Sequence, residues 1–178
     1  VTDHQAENNA AELDALSADD IRWMDYAIGL AAQGEVLGEV PVGAVIVADN
    51  QIIGEGFNQP ISLHDATAHA EIVALRQASA KIQNYRVVGA TLYVTLEPCT
   101  MCVGALVHAR IKRLVFGTTE PKAGAVVSKA RLLDNEHFNH RIEYAGGALA
   151  DKCQHQLSQF FAYRREEKRK QKLAKPES

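Results

Sequence analysis

Two short motifs thirty residues apart constrain this chain more than any other feature: His69-Ala70-Glu71 and Pro98-Cys99-Thr100-Met101-Cys102. Each opens a segment of helical periodicity, and the second follows directly on a strand-like apolar run, TLYVTLE at 91–97. Pro98 ends that run and sets up the next helix, because its fixed φ and missing N–H suit a first helical turn. If the two motifs act together, the chain has to fold so that two helix starts converge.

The order of the remaining elements fits that demand. Ser17 followed by Asp20 reads as a helix cap, with Asp in place of the usual Glu or Gln. Ile21, Met24, Ile28 and Ala31 then recur on one face, and Gly34 is the expected stop. The β-branched run 40–47 pairs with 51–58 across Asp49-Asn50 as a hairpin. A polar loop through His64-Asp65-Ala66-Thr67 leads to a helix over 68–82, then the strand 91–97 and the Cys99 helix. Strands at 112–118 and 141–145 and a long helix from about Leu149 complete the order αββαβαβ(α)βα. This order predicts a three-layer α/β/α sandwich around one mixed five-stranded sheet.

One imidazole and two thiolates are the donor set of a catalytic zinc site, which takes three protein ligands and keeps a fourth position open. His69, Cys99 and Cys102 supply it, the C-x-x-C spacing at a helix start letting both sulfurs face one point. The positive end of that helix, together with the metal, favours thiolates. Glu71, two residues beyond the histidine, is placed to reach the open side without ligating. A carboxylate there can take a proton from an activated water and return it to a ring nitrogen and a leaving amine. Those are the steps of hydrolytic deamination, and H-x-E…P-C-x-x-C is the zinc-deaminase signature.

Plainer readings compete with each residue. Cys99 and Cys102 could sit in a closed structural zinc site with Cys153 as a further ligand, or form a dithiol redox pair. His69 could be a capping histidine and Glu71 an exposed helix-start acid. Cys153 reads as an ordinary buried thiol on the last helix, and His64, His108, His137 and His140 lack ligand spacing.

Three cysteines in 178 residues do not make a disulfide scaffold. The polar, acidic start does not read as a signal peptide, and no run approaches the ~20 apolar residues of a membrane span, so a cytoplasmic protein is expected. The net charge of −3 averages two opposite ends. Residues 1–20 carry six carboxylates and no Lys or Arg, whereas 164–175 carry seven Lys or Arg against Glu166 and Glu167. Phe160, Phe161 and Tyr163 precede Arg164, Arg165 and Arg169, a pattern able to stack on unpaired bases and meet phosphates. Residues 1–16 are expected to be an acidic extension, and 17–178 a single domain ending in a basic C-terminal helix.

Over roughly residues 20–175 the chain resembles the bacterial tRNA-specific adenosine deaminases. The blocks that carry the resemblance are EVPVGAVIV, IIGEGFNQPI, HDATAHAEIVALRQA, NYRVVGATLYVTLEPCTMCVGA and RIKRLVFGTTEPKAGA. The resemblance implies a cytidine deaminase-like fold and a homodimer with one zinc ion per subunit. It implies deamination of the wobble adenosine in the anticodon loop of an arginine tRNA. It also implies zinc ligation by His69, Cys99 and Cys102, with Glu71 as proton shuttle. Asn58 and the backbone of Ala70 would hold the base, and the loop with Glu120 and Lys122 would contact RNA near it. The chain has Glu120 where the family has Asp, and Ala66 where it has Pro. Two rivals stand beside this: a cytosine, cytidine or guanine deaminase on the same scaffold, and a non-catalytic zinc-bearing RNA-binding protein.

Overall fold

The structure, a computed structural model, describes residues 16–174. The expected acidic extension therefore lies outside the described residues, apart from Leu16, which packs against the core.

The elements run α1 (Ala18–Val36), β1 (Gly43–Ala48), β2 (Gln51–Phe57), α2 (Pro60–Leu63), α3 (Ala70–Ile82), β3 (Thr91–Leu96), α4 (Thr100–His108), β4 (Arg113–Thr118), β5 (Glu143–Gly146) and α5 (Ala150–Leu173). A 3-10 turn at Leu132–Asp134 stands where a further helix was expected before β5. The four-residue α2 was not foreseen within the polar loop.

The five strands form one mixed sheet in the order β2-β1-β3-β4-β5. The pairs β1/β2 and β1/β3 are antiparallel, and β3/β4 and β4/β5 are parallel. Asp49 and Asn50 both adopt positive φ (48° and 59°), the two-residue turn whose twist matches a hairpin.

Alternation along the strands divides the core into two layers. Ala44, Ile46, Leu92, Val94, Leu114 and Phe116 face α3 and α4, through Ala70, Ala74, Val103 and Leu106. Val45, Val47, Tyr93 and Val115 face α1 and α5, through Met24, Ala27, Leu30 and Cys153. Helices cover both faces, so the expected α/β/α sandwich is the observed one.

In α1 the cap is as expected: Ser17 Oγ accepts from Asp20 N and Asp20 Oδ2 accepts from Ser17 N. The buried face is rotated from the expected one. Met24 and Ala31 are buried, but Ile21 is exposed, and Ala27, Leu30 and Gly34 complete the stripe. Fully burying a side chain such as Met24 stabilises by about 1.5–3 kcal/mol, which the exposed Ile21 forgoes. The anchor of this face is the buried Asp20, ion-paired with Arg113 of β4 at 2.6 Å. Gly34 does not end the helix. It lies inside, against the Phe57 ring, and the chain turns at Leu37 and Gly38.

Candidate active site

The site forms at the carboxyl end of β3, where the starts of α3 and α4 meet. Helix N-caps prefer short polar side chains that accept from the first free N–H groups. Here the caps are His69 on α3 and Cys99 on α4, and neither side chain makes a capping hydrogen bond. Both turn toward each other instead.

His69 Nδ1 lies 3.6 Å from Cys99 Sγ and 3.6 Å from Cys102 Sγ, and the three donor atoms lie within 4.8 Å of one another. In a tetrahedral site with metal–nitrogen of about 2.05 Å and metal–sulfur of about 2.3 Å, the N···S edge is about 3.6 Å. The donor set and its spacing therefore fit a zinc-type ion. Cys153 is buried on α5 against Gly117, outside this group, and burial pushes its thiol up to about 11.

The two sulfurs differ in character. A hydrogen bond with Cys102 and another with the His69 ring hold the Cys99 thiol down to about 3, against the effect of burial. The converse bond to Cys99, with burial, pushes Cys102 up. The His69 ring is raised by its bond to Cys99.

Glu71 occupies the first turn of α3 and is 4 % exposed. Burial, helped by the Cys99 charge, holds its carboxyl above the usual carboxylate range, against the opposing pull of a hydrogen bond from its own backbone N–H and of the His69 charge. It lines a cavity of about 180 Å³ together with His69, Cys99, Asn58, Glu97 and Glu120. A buried acid beside a metal-type donor set, facing a small cavity, can take and return a proton there.

Asn58 and Ala70, both expected to touch the base, are bonded to each other: Asn58 Oδ1 accepts from Ala70 N at 3.0 Å. The bond follows from close packing of α3 on β2. A Cβ on Gly56 would stand 2.7 Å from the Val73 side chain and 2.9 Å from Ala70 O. Asn58 still lines the cavity, whereas the Ala70 amide is already used.

Beyond Glu120 lies a second cavity of about 400 Å³, which Glu120, Val40 and Leu96 share with the first. Lys122, Phe161 and Arg165 line it. Arg164 and Arg169 do not. Arg164 packs over the Phe160 ring at 5.9 Å, and Arg169 pairs with Glu166 at 3.0 Å. The Glu120 carboxylate folds back on its own loop, Oε1 accepting from Lys122 N at 2.9 Å.

Glu97 had no part in the expectations, yet it is 2 % exposed and borders the first cavity. The available signal was an acid ending the apolar run TLYVTLE, since a buried carboxylate requires partners.

Comparison with known proteins agrees with this geometry. The family model for MafB19-like deaminases matches residues 18–165. The tRNA-specific adenosine deaminase of Haemophilus influenzae is 54 % identical over 154 residues, which cover 86 % of this chain and 89 % of that protein. A solved structure from studies of A-to-I editing by tRNA:A34 deaminases is 40 % identical, with a TM-score of 0.75 over 76 % of this chain and 99 % of that one. A guanine deaminase from Nitrosomonas europaea shares the fold at 22 % identity, with a TM-score of 0.68 over 83 % of this chain and 86 % of that one. The chain belongs to the MafB19-like deaminases and, among them, to the tRNA-specific adenosine deaminases.

Proposed function

We propose that the chain deaminates adenosine to inosine at the wobble position of a tRNA anticodon, with arginine tRNA as the target the resemblance implies. The observation that carries this is the buried Glu71 beside His69, Cys99 and Cys102, in a small cavity that shares Val40, Leu96 and Glu120 with a larger one lined by Lys122, Phe161 and Arg165. A free base needs only the first cavity.

His69, Cys99 and Cys102 would hold one zinc ion per subunit. When bound, zinc supplies the Lewis acidity that makes water a competent nucleophile near pH 7. Glu71 would take one proton from the attacking water and pass it to the purine ring nitrogen next to the reacting carbon, then carry that water's remaining proton to the departing amine as its oxygen becomes the carbonyl. One water is consumed, the exocyclic C–N bond breaks, a carbonyl forms and ammonia leaves. Asn58, its oxygen committed to Ala70 N, keeps its amide nitrogen to donate to the purine. Arg165 and Lys122 offer charge to phosphates, and Phe161 offers a face to an unpaired base. Arg164 and Arg169 add a second, outer band of charge along α5. Anticodon bases are already unpaired, so turning one into the cavity costs only a few kcal/mol or less.

We also propose a homodimer, with residues 17–178 as its single deaminase domain, acting in the cytoplasm. Among the described residues no helix is long and apolar enough to cross a membrane.

A cytosine, cytidine or guanine deaminase on the same scaffold is the second reading. Incubating the zinc-loaded chain with an anticodon stem-loop, free adenosine, cytidine and guanine separates the two. Inosine in the stem-loop alone supports the proposal. Turnover of a free base or nucleoside with none in the RNA overturns it.

A further inference from the structure

We infer that Glu97 is a positioning residue: it anchors the loop over 119–128 to the end of β3, and so fixes Glu120 and Lys122 where the RNA meets the site. This rests on the proposed RNA substrate.

Five donors converge on this one carboxylate. Oε1 accepts from the backbone N–H groups of Val126 (3.0 Å), Val127 (2.8 Å) and Ser128 (2.9 Å). Oε2 accepts from Glu120 N at 2.9 Å and from the Ser128 hydroxyl. Both ends of the loop are thereby tied to one side chain that itself stands two residues before Cys99. A buried carboxylate is costly unless hydrogen-bonded, and bonds to a charged acceptor are stronger than neutral ones. The loop amides, in turn, have no helix or strand of their own to pair with.

A second feature shows that the loop is built around this anchor. Gly124 forms an isolated bridge with Cys99, and Ala125 N donates to Pro98 O at 2.9 Å. A Cβ on Gly124 would stand 2.4 Å from the Glu97 carboxyl carbon and 2.6 Å from Glu120 O. Only glycine allows the loop backbone this close to the carboxylate. The consequence reaches the substrate side through Glu120, which lines both cavities while its amide is held by Glu97.

Glu97→Gln tests the role. Its amide NH2 faces donors whichever way it turns: three backbone N–H groups on one side, Glu120 N–H and the Ser128 hydroxyl on the other. The zinc-loaded variant is expected to show a KM for the anticodon stem-loop raised roughly tenfold, the scale of one charge-assisted hydrogen bond, with kcat falling less than KM rises. Amide hydrogen exchange at Glu120 and 126–128 should quicken, while β3 keeps its protection and the zinc content stays that of the native chain. Ser128→Ala, which removes a single donor without altering the acid, should shift KM and exchange in the same direction by less, and it carries the test if Glu97→Gln does not fold.

Unchanged KM and exchange in the folded variants would overturn the inference, as would a KM change that comes only with lost zinc or an exposed β3. The native chain keeps the two proposals apart. If it makes no inosine in RNA, the substrate assignment fails and the role toward RNA with it, whereas activity in the native chain with no effect of either variant condemns Glu97 alone.

Discussion

Asn58 and Ala70 are locked together beside the site, the Asn58 side-chain oxygen accepting the Ala70 amide hydrogen at 3.0 Å. The bond joins the end of β2 to the first turn of α3, where His69 and Glu71 flank Ala70. An asparagine that reads as a turn residue thus sets how the α3 start is presented. Asn58→Ala should destabilise by about 1–2 kcal/mol, the cost of stranding a partly buried N–H, and should lower kcat/KM as well. Asn58→Asp keeps the acceptor and should recover most of the stability but not the activity. Urea denaturation alongside inosine formation checks both, and equal stability of all three proteins would contradict this role.

Asp20 and Arg113 predict an acid limit to stability. Burial raises the Asp20 carboxyl, but hydrogen bonds from Arg113 and Ser17 outweigh it, so its folded value lies below 3.8. A carboxyl depressed on folding contributes stability that is complete above its unfolded value and lost as pH falls through the folded one. Asp20→Ala should therefore cost about 1–3 kcal/mol at neutral pH, since it removes the two charge-assisted hydrogen bonds with Arg113 and breaks the α1 cap. The gap between variant and native chain should close as pH falls below 3.8, measured by denaturant titration across pH.

Removing the metal should abolish turnover and lower the melting temperature, because an ion that binds only the folded chain stabilises it by mass action. Cys99→Ser, Cys102→Ser and His69→Ala should each lose zinc by elemental analysis, while Cys153→Ser keeps it. Binding should weaken toward acid pH, where the thiols and the imidazole hold protons. Zinc retained by Cys102→Ser but lost from Cys153→Ser would reverse the assignment.

The basic residues of α5 should not be equivalent. Arg165 lines the larger cavity, while Arg169 is paired with Glu166 and Arg164 lies over Phe160. Arg165→Ala should weaken RNA binding most and reduce the salt slope by about 0.7, the value for one phosphate contact on a single strand. Arg169→Ala should do less. Identical slopes for both variants would remove Arg165 from the interface.

Much of this architecture was readable in the residues. The hairpin turn at Asp49-Asn50, the Ser17 cap and the meeting of His69 with Cys99 and Cys102 each follow from local chemistry with few alternatives. The misreadings have a common cause in packing from far along the chain. The α1 face is rotated because Asp20 is drawn inward by Arg113, ninety-three residues away, and an acid does not register in a hydrophobic stripe. Gly34 sits inside the helix because the Phe57 ring fills the space beside it. Glu97 was invisible as an anchor because its partners are mostly backbone amides of a loop, which carry no residue identity to read. The same holds for the division of α5 into cavity-lining Arg165 and outer Arg164 and Arg169: composition placed them together, and only the docking of the helix separates them.

The most direct test of the central claim is inosine formation in an isolated arginine tRNA with adenosine at the wobble position, native chain against Glu71→Gln. Both proteins should bind zinc and the tRNA, and the native chain alone should convert the wobble adenosine, the variant losing at least about 100-fold in rate as expected for a lost general acid–base. Conversion by a folded Glu71→Gln protein at the native rate, or none by the zinc-loaded native chain, would contradict the account.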